Sequence, residues 1–235
     1  MNILFEDDDI LLINKPLGLV VHHGAGVESN TLYDYLIERY PNVSDEFKND
    51  FRMGIVHRLD KDTTGLMVIA KNIESATNLI EQFKAHSIKK EYTALCYAFF
   101  NTLSGTIDAP LGRSKSNRKK FSIQKDGSGK NAISHYEVED QFLYGKNNKN
   151  AIALLKVTIE TGRTHQIRVH MSSIGHPVVN DTVYGKNRWK EGEELGLMLE
   201  ATSLVFDHPR TSKRLEFNLP LSERFSKAIE LIKAM

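Results

Sequence analysis

The sequence has little cysteine and no long apolar run, and each absence excludes a class of protein. Its one cysteine, Cys96, leaves the chain without an internal disulfide or a multi-cysteine zinc site. Cys96 lies in the apolar run TALCYAFF, which predicts a buried side chain. No segment approaches the roughly 20 apolar residues of a membrane span, and the start MNILFEDDDILLINK is unlike a signal peptide. We therefore expect a cytoplasmic protein with no membrane partner.

The sequence also lacks an overall excess of charge, but its charges are unevenly distributed. The formal net charge is +1, whereas residues 1–50 alone carry 10 acidic and 3 basic side chains. Residues 113–130, RSKSNRKKFSIQKDGSGK, contain seven Lys or Arg and one Asp. Such a block can neutralise a phosphate backbone and release its counterions. The alternative is a solvated hairpin whose basic character has no function.

Length and hydrophobic patterning predict one catalytic domain over residues 1–235 with an α+β fold. Paired strand patterns separated by few helical ones favour a central, mostly antiparallel sheet over alternating βαβ units. We expect a helix over 31–40 capped by Asn30 or Thr31, a second helix around 76–83, a third starting in THQIRVHMSS and a fourth near the C-terminus. Between the first two helices, the cluster HRLDKD should form a loop that leads through a Thr-Thr-Gly turn into the buried strand LMVIA.

The HRLDKD cluster, residues 57–62, allows three interpretations. His57, Asp60 and Asp62 could bind a hard cation, although Arg58 and Lys61 would repel it. His165 and His170 would not complete such a site, because five residues on a helix separate side chains by about 140°. The cluster could instead be a structural ion-pair loop, or it could present a catalytic carboxylate supported by an arginine.

The run HRLDKDTTGLMVIAK resembles the signature of RluA-type pseudouridine synthases. Three further segments are similar to motifs of that family and follow in the family's order: INKPLGLVVHHG at 13–24, KKEY at 89–92 and TGRTHQIRVHMSSIGHPVVND at 161–181. The sequence departs from the family pattern at His23, where proline is common, at Asn180, where glycine is usual, and at Glu200, where histidine is frequent. These departures affect expected substrate contacts and leave the catalytic positions unchanged.

The resemblance implies the family's mixed α+β fold, with a central antiparallel sheet and an active-site cleft between two subdomains. It implies that Asp60 is the catalytic carboxylate, that Tyr92 lines the pocket against the target uracil, and that Arg168 pairs with Asp60. It also implies that Arg58 enters the RNA stack in place of an everted base. The remaining expected RNA contacts are His57, Arg163, His165 and, in the basic block, Arg113, Arg118, Lys119 and Lys120.

The implied reaction converts uridine in RNA to pseudouridine without a cofactor. Asp60 must be ionised, either to attack the ribose C1′ or to remove the C2′ proton, and the sequence leaves both routes open. The substrate is tRNA or ribosomal RNA, bound by the catalytic domain alone, since the family-like sequence begins too early for an S4 domain to precede it. We expect a monomer without an obligatory protein partner. The alternatives are a catalytically silent RNA-binding module of the same fold and a metal-dependent RNA hydrolase.

Overall fold

A computed structural model describes residues 1–24, 29–42, 47, 52–117, 120–185 and 189–235. The chain has a mixed α+β fold with a large, mostly antiparallel sheet, as the sequence predicts. It divides into two compact units, the first formed by Met1–Lys89 and Ser203–Leu219 and the second by Lys90–Thr202 and Pro220–Met235. None of the helices in these described ranges is both long and apolar enough to cross a membrane.

The first unit is built on antiparallel strand pairs. Strands β1 (Asn2–Glu6), β2 (Ile10–Lys15) and β3 (Thr64–Ala70) lie in that order. Every residue of β3 is buried. Its sequence is therefore a continuous apolar run and not an alternation of apolar and polar residues. Its register against β2 pairs Ile10 with Ala70 and Lys15 with Gly65. The Thr-Thr-Gly turn expected before β3 is wrong, since Thr64 and Gly65 already belong to the strand.

Two helices of the first unit begin at side-chain caps. Helix α1 (Leu32–Arg39) is capped by Thr31, whose hydroxyl accepts the Asp34 N–H while the Asp34 carboxylate accepts the Thr31 N–H. This capping box decides between the two caps that the sequence allowed. Helix α2 (Ile73–Lys84) is capped by Asn72, which accepts the Ser75 N–H.

The second unit centres on a four-stranded antiparallel array in the order β5 (Ser104–Asp108), β8 (Ile133–Tyr144), β9 (Asn150–Ile159) and β4 (Lys89–Tyr97). Strands β6 (Leu111–Arg113) and β7 (Phe121–Ile123) form a separate hairpin, the basic hairpin, which includes the start of the basic block. Strand β10 (Leu199–Asp207) runs from the second unit into the first, where β11 (Arg214–Asn218) pairs with it.

Helices α3 (Gln166–Ser173) and α4 (Glu223–Lys233) complete the second unit. Its core includes Leu95, Phe142, Trp189 and Met198, with Phe225 and Ile232 contributed by α4. Helix α3 begins later than the expected start of THQIRVHMSS, because His165 has a left-handed backbone with φ of 57°. His165 therefore precedes the helix, and the 140° separation expected for two helical positions is wrong for His165 and His170.

Candidate active site

The loop that carries Asp60 is a tight turn directly before β3. The backbone carbonyl of Asp60 accepts the Thr63 N–H at 3.2 Å. Within this turn Arg58 is exposed, Leu59 is buried and Asp60 is half-buried. The turn thus places an apolar side chain in the interior while the flanking basic and acidic side chains reach the surface, as the sequence predicts for a loop held against a buried strand.

The side chain of Lys15 holds this loop in place, a role that the sequence patterns did not indicate. Its side chain is fully buried, and its ammonium donates to three backbone carbonyls: Pro16 at 3.0 Å, Leu19 at 2.9 Å and Lys61 at 2.9 Å. The Lys61 carbonyl also accepts the Gly18 N–H at 3.1 Å. A single cation therefore ties the residue after Asp60 to the segment that follows β2.

His57 and Gly54 attach the other side of the loop to β3. The Nε2 atom of His57 accepts the Val68 N–H at 3.1 Å, and its ring stacks on Phe83 with centroids 4.7 Å apart. Gly54 has φ of 73°, and a Cβ there would lie 2.0 Å from the Ala70 carbonyl oxygen, so only glycine fits. His57 thus supports the loop through its ring, whereas its expected contact with RNA stays a prediction.

A metal site at His57, Asp60 and Asp62 finds no support in the parts of the chain that the structure describes. The candidate metal-binding cluster there is a different one, formed by Asp7, Asp9 and His208. Protein groups already surround it: Asp9 accepts two hydrogen bonds from Arg210, at 2.7 and 2.6 Å, and Asp7 contacts His208 Nε2 at 2.9 Å. These contacts describe a structural network linking the β1–β2 and β10–β11 connections.

Tyr92 lies in β4, opposite Val157 of β9, and is 8% exposed. Lys90 is two residues away, so both side chains lie on the same face of the strand. Burial, together with the nearby charge of Arg163, lowers the pKa of Lys90 to about 8. The face of β4 that carries Tyr92 therefore also carries a buried cation, which the sequence analysis had not identified.

Arg168 is buried in α3 and forms a two-pronged ion pair with Asp181. Its Nε atom donates to Oδ2 at 2.8 Å and its Nη2 atom to Oδ1 at 2.9 Å. Their side chains are 6% and 0% exposed. No local sequence pattern indicated a role for Asp181, because thirteen positions along the chain separate it from Arg168. The predicted pairing of Arg168 with Asp60 stays a prediction.

A network of buried polar side chains docks α3 on β8. The Gln166 amide accepts from Thr161 Oγ1 at 2.7 Å and the Arg163 N–H at 3.0 Å, and it donates to the Ile133 carbonyl at 2.9 Å and Ser134 Oγ at 3.1 Å. His170 contacts the same Ser134 hydroxyl at 2.9 Å through Nδ1.

His170 completes this network at the far end of α3. Its Nε2 contacts the Ala109 carbonyl at 3.0 Å, and burial lowers its pKa. A carbonyl only accepts, so Nε2 carries the proton and the neutral ring receives the Ser134 hydroxyl at Nδ1. His170 is therefore a structural residue of the helix.

The basic hairpin contacts the region of α3 through Tyr184. The Tyr184 hydroxyl accepts the Phe121 N–H at 2.9 Å and lies 2.8 Å from His165 Nδ1. Lys120 donates to the Val183 carbonyl at 2.5 Å, so its ammonium is engaged within the protein. Arg118 and Lys119 lie outside the described residues.

The two remaining predicted cations of the second unit are exposed. The guanidinium of Arg113 lies 5.4 Å from the centroid of the Phe121 ring, and Arg163 Nε donates to the Asn131 carbonyl at 2.9 Å. Exposure makes both accessible to a polyanion. Three other predicted site residues, Arg168, His165 and Lys120, lie together around Tyr184.

Asn180 accounts for one departure from the family pattern. Its backbone has φ of 60°, a conformation that glycine adopts without strain and that asparagine tolerates better than most residues. Its side-chain amide also donates to the carbonyls of Gly192 at 2.7 Å and Gly196 at 3.1 Å. Asn180 therefore holds a backbone conformation that would also suit glycine.

Comparison with known proteins gives consistent results. Residues 9–173 match the family model described as RNA pseudouridylate synthase. The chain is 42% identical, over 99% of its length and 72% of the relative's, to the ribosomal large subunit pseudouridine synthase D of Pseudomonas aeruginosa. It is 39% identical to the uncharacterized RNA pseudouridine synthase YlyB of Bacillus subtilis, over 99% of this chain and 73% of that one.

Solved structures support the fold. The human RNA pseudouridylate synthase domain containing 1 aligns with a TM-score of 0.74 and 24% identity, covering 100% of this chain and 95% of that one. The family match spans more than half of the chain and both bacterial relatives are well above 30% identical, which agrees with the four RluA-type motifs. The chain belongs to the RNA pseudouridylate synthase family, enzymes that isomerise uridine in RNA to pseudouridine.

Proposed function

We propose that this enzyme isomerises uridine in large-subunit ribosomal RNA and that Asp60 is its essential carboxylate. The ribosomal substrate is suggested by the relatives named pseudouridine synthase D, which cover nearly all of this chain. The observation that carries the role of Asp60 is its position in the HRLD motif, on a half-buried turn fixed by Lys15 and His57. A rigid element behind a loop is what a catalytic group needs to be held in a productive geometry.

The chemistry requires one carboxylate because uracil leaves as a delocalised anion. Hydrolysis of an ordinary glycoside uses a second carboxyl group as an acid for a poor leaving group. Asp60 would either attack C1′, with departure of uracil at N1, or remove the C2′ proton as uracil departs, which forms a glycal. After uracil turns, its C5 joins C1′; in the first route the bond from Asp60 to C1′ then breaks, and in the second Asp60 returns the proton to C2′. In both routes the C5 proton is released and N1 takes up a proton. We propose that Arg168 pairs with Asp60 and keeps it ionised, since a guanidinium does not deprotonate.

The target base must leave the RNA stack to reach this carboxylate, at a cost of a few kcal/mol. We propose that Tyr92 packs against the everted uracil and that Arg58, which is exposed, fills the vacated position. Phosphates would meet Arg163 and the exposed basic side chains of the basic block, Arg113, Lys125 and Lys130. Since Lys120 donates to the Val183 carbonyl, we expect it to support the hairpin more than to bind RNA. A monomeric state and a cytoplasmic location stay predictions.

Tritium release from RNA labelled at uracil C5 tests this function. The substrate is an in vitro transcript of large-subunit ribosomal RNA, with a tRNA transcript as the second arm. We expect release from the ribosomal transcript by the wild type, and none above background with Asp60→Ala. Asp62→Asn, a change two residues away on the same loop, serves as the matched control and should remain active.

Four outcomes would contradict the proposal. Release only from the tRNA transcript would reject the ribosomal substrate, and equal release by Asp60→Ala would reject the catalytic role. RNA cleavage that stops with EDTA would favour the metal-dependent hydrolase. Binding without release by the wild type would favour the silent RNA-binding module.

A further inference from the structure

Asp181 is a buried carboxylate that receives four hydrogen bonds. Oδ2 accepts from Arg168 Nε, whereas Oδ1 accepts from Arg168 Nη2 and from the N–H groups of Val183 and Tyr184, all at 2.8–2.9 Å. Burial is the largest influence on its pKa and raises it, but Arg168 and the two N–H groups together outweigh burial, so the pKa of Asp181 is lowered. Asp181 is therefore ionised beside Arg168.

The segment 181–185 holds the guanidinium on two sides. The two-pronged contact with Asp181 fixes the plane of the group at its edge, and Tyr184 lies against the guanidinium, whose carbon is 5.4 Å from the ring centroid. The Tyr184 ring is itself fixed by contacts of its hydroxyl with Phe121 and His165. A Cβ on Gly185 would lie 2.6 Å from the Asp181 carbonyl oxygen, so this turn closes tightly.

We propose that Asp181 is a positioning residue, which orients the guanidinium of Arg168 for the isomerisation. The inference rests on the role proposed above for Arg168 as the partner of Asp60. An arginine side chain has several rotatable bonds, and without Asp181 its plane would turn and its charge would move. Misplacing a charged group by about 1 Å can lower a rate on the order of 100-fold. Asp181 would then affect turnover while contacting neither RNA nor the reacting atoms.

The substitution Asp181→Asn separates orientation from folding because the two oxygens have different partners. An amide must place its NH₂ at one oxygen position, and the Oδ2 position loses only the contact with Arg168 Nε. The Oδ1 position would lose three contacts. Asparagine should therefore keep the turn at 183–184 while releasing one prong of Arg168. We expect kcat for tritium release to fall on the order of 10- to 100-fold, with KM for RNA changed less than about twofold.

A double-mutant comparison identifies the residue through which Asp181 acts. If it acts through Arg168, kcat of Asp181→Asn combined with Arg168→Lys should be close to that of Arg168→Lys alone. The matched control is Asp9→Asn, which weakens a second two-pronged arginine pair among the described residues, that of Asp9 with Arg210. We expect Asp9→Asn to keep the wild-type kcat.

The positioning role is wrong if Asp181→Asn keeps kcat, or if the two substitutions lower kcat multiplicatively. Circular dichroism confirms folding of each variant. If Asp181→Asn does not fold, Asp181→Glu replaces it, since it keeps the charge and displaces the carboxylate by one methylene; unchanged kcat there would also contradict the role. Inactivity of the wild type would instead reject the proposed function, so the two failures are distinguishable.

Discussion

The two units hold their candidate catalytic residues by different means. In the first unit, the ammonium of Lys15 binds the backbone of the Asp60 loop through three carbonyls. In the second unit, the uncharged amide of Gln166 docks α3, and the carboxylate of Asp181 orients the side chain of Arg168. Lys15 thus fixes the path of a loop, whereas Asp181 fixes the orientation of a long side chain. A short aspartate needs the first, and a flexible arginine needs both.

This comparison predicts that the first unit is the more sensitive to losing a single side chain. Lys15→Met would remove a buried charged donor from three backbone carbonyls, and hydrogen bonds from charged groups contribute more than neutral ones. We expect the free energy of unfolding to fall by roughly 3–5 kcal/mol, measured by urea titration with circular dichroism. Lys61→Met removes an exposed ammonium of the same loop and should change it by less than about 0.5 kcal/mol. Equal effects of the two substitutions would remove the anchoring role of Lys15.

A smaller loss of stability is expected on replacing Gln166, the uncharged residue that docks α3 in the second unit. Gln166→Leu removes four neutral hydrogen bonds from a buried site and should lower the free energy of unfolding by about 2–3 kcal/mol. Hydrogen exchange should accelerate in α3 and leave the Asp60 loop unchanged. Ser173→Ala, on the exposed end of the same helix, is the control and should change stability by less than about 0.5 kcal/mol. A loss for Gln166→Leu larger than that for Lys15→Met would reverse the comparison.

The smallest effect concerns the pair of Asp9 with Arg210 in acid. The hydrogen bond from Arg210 is the main cause that lowers the pKa of Asp9, and burial opposes it. A carboxyl group whose pKa is lower in the folded state stabilises the protein above the unfolded pKa of about 3.9, and this contribution is lost as the pH falls below that value.

Asp9→Asn should lower the free energy of unfolding at neutral pH. As the pH falls into the acid range, the variant should then lose less of this free energy than the wild type does. Urea midpoints of the variant and the wild type, compared at neutral pH and near pH 3, measure this difference. Because Arg210 is largely exposed and its pair is screened by solvent, the change should be smaller than those at Lys15 and Gln166. Parallel acid profiles of the two proteins would show that the pair contributes nothing.

Local patterns sufficed for much of the fold. The alternation of strands, the cap at Thr31 and the apolar stripe of α2 depend on neighbours within a few positions, and these predictions are confirmed. The predicted turn at Thr63–Gly65 is wrong because β3 is buried on both faces, so tertiary burial extends the strand into polar residues. The later start of α3 follows from the left-handed backbone of His165, which the spacing of side chains does not reveal.

The sequence by itself determined the family and the α+β class, and it named Asp60, Tyr92 and Arg168 as candidate site residues, because the motifs that carry them are contiguous in the chain. Only the tertiary structure identified Lys15, Gln166 and Asp181 as the groups that hold them. A buried polar group is stabilised by partners that complete its hydrogen bonds, and for each of these three residues at least one such partner lies 5 to 46 positions away along the chain. Such pairings arise from folding, so no local pattern of residues encodes them.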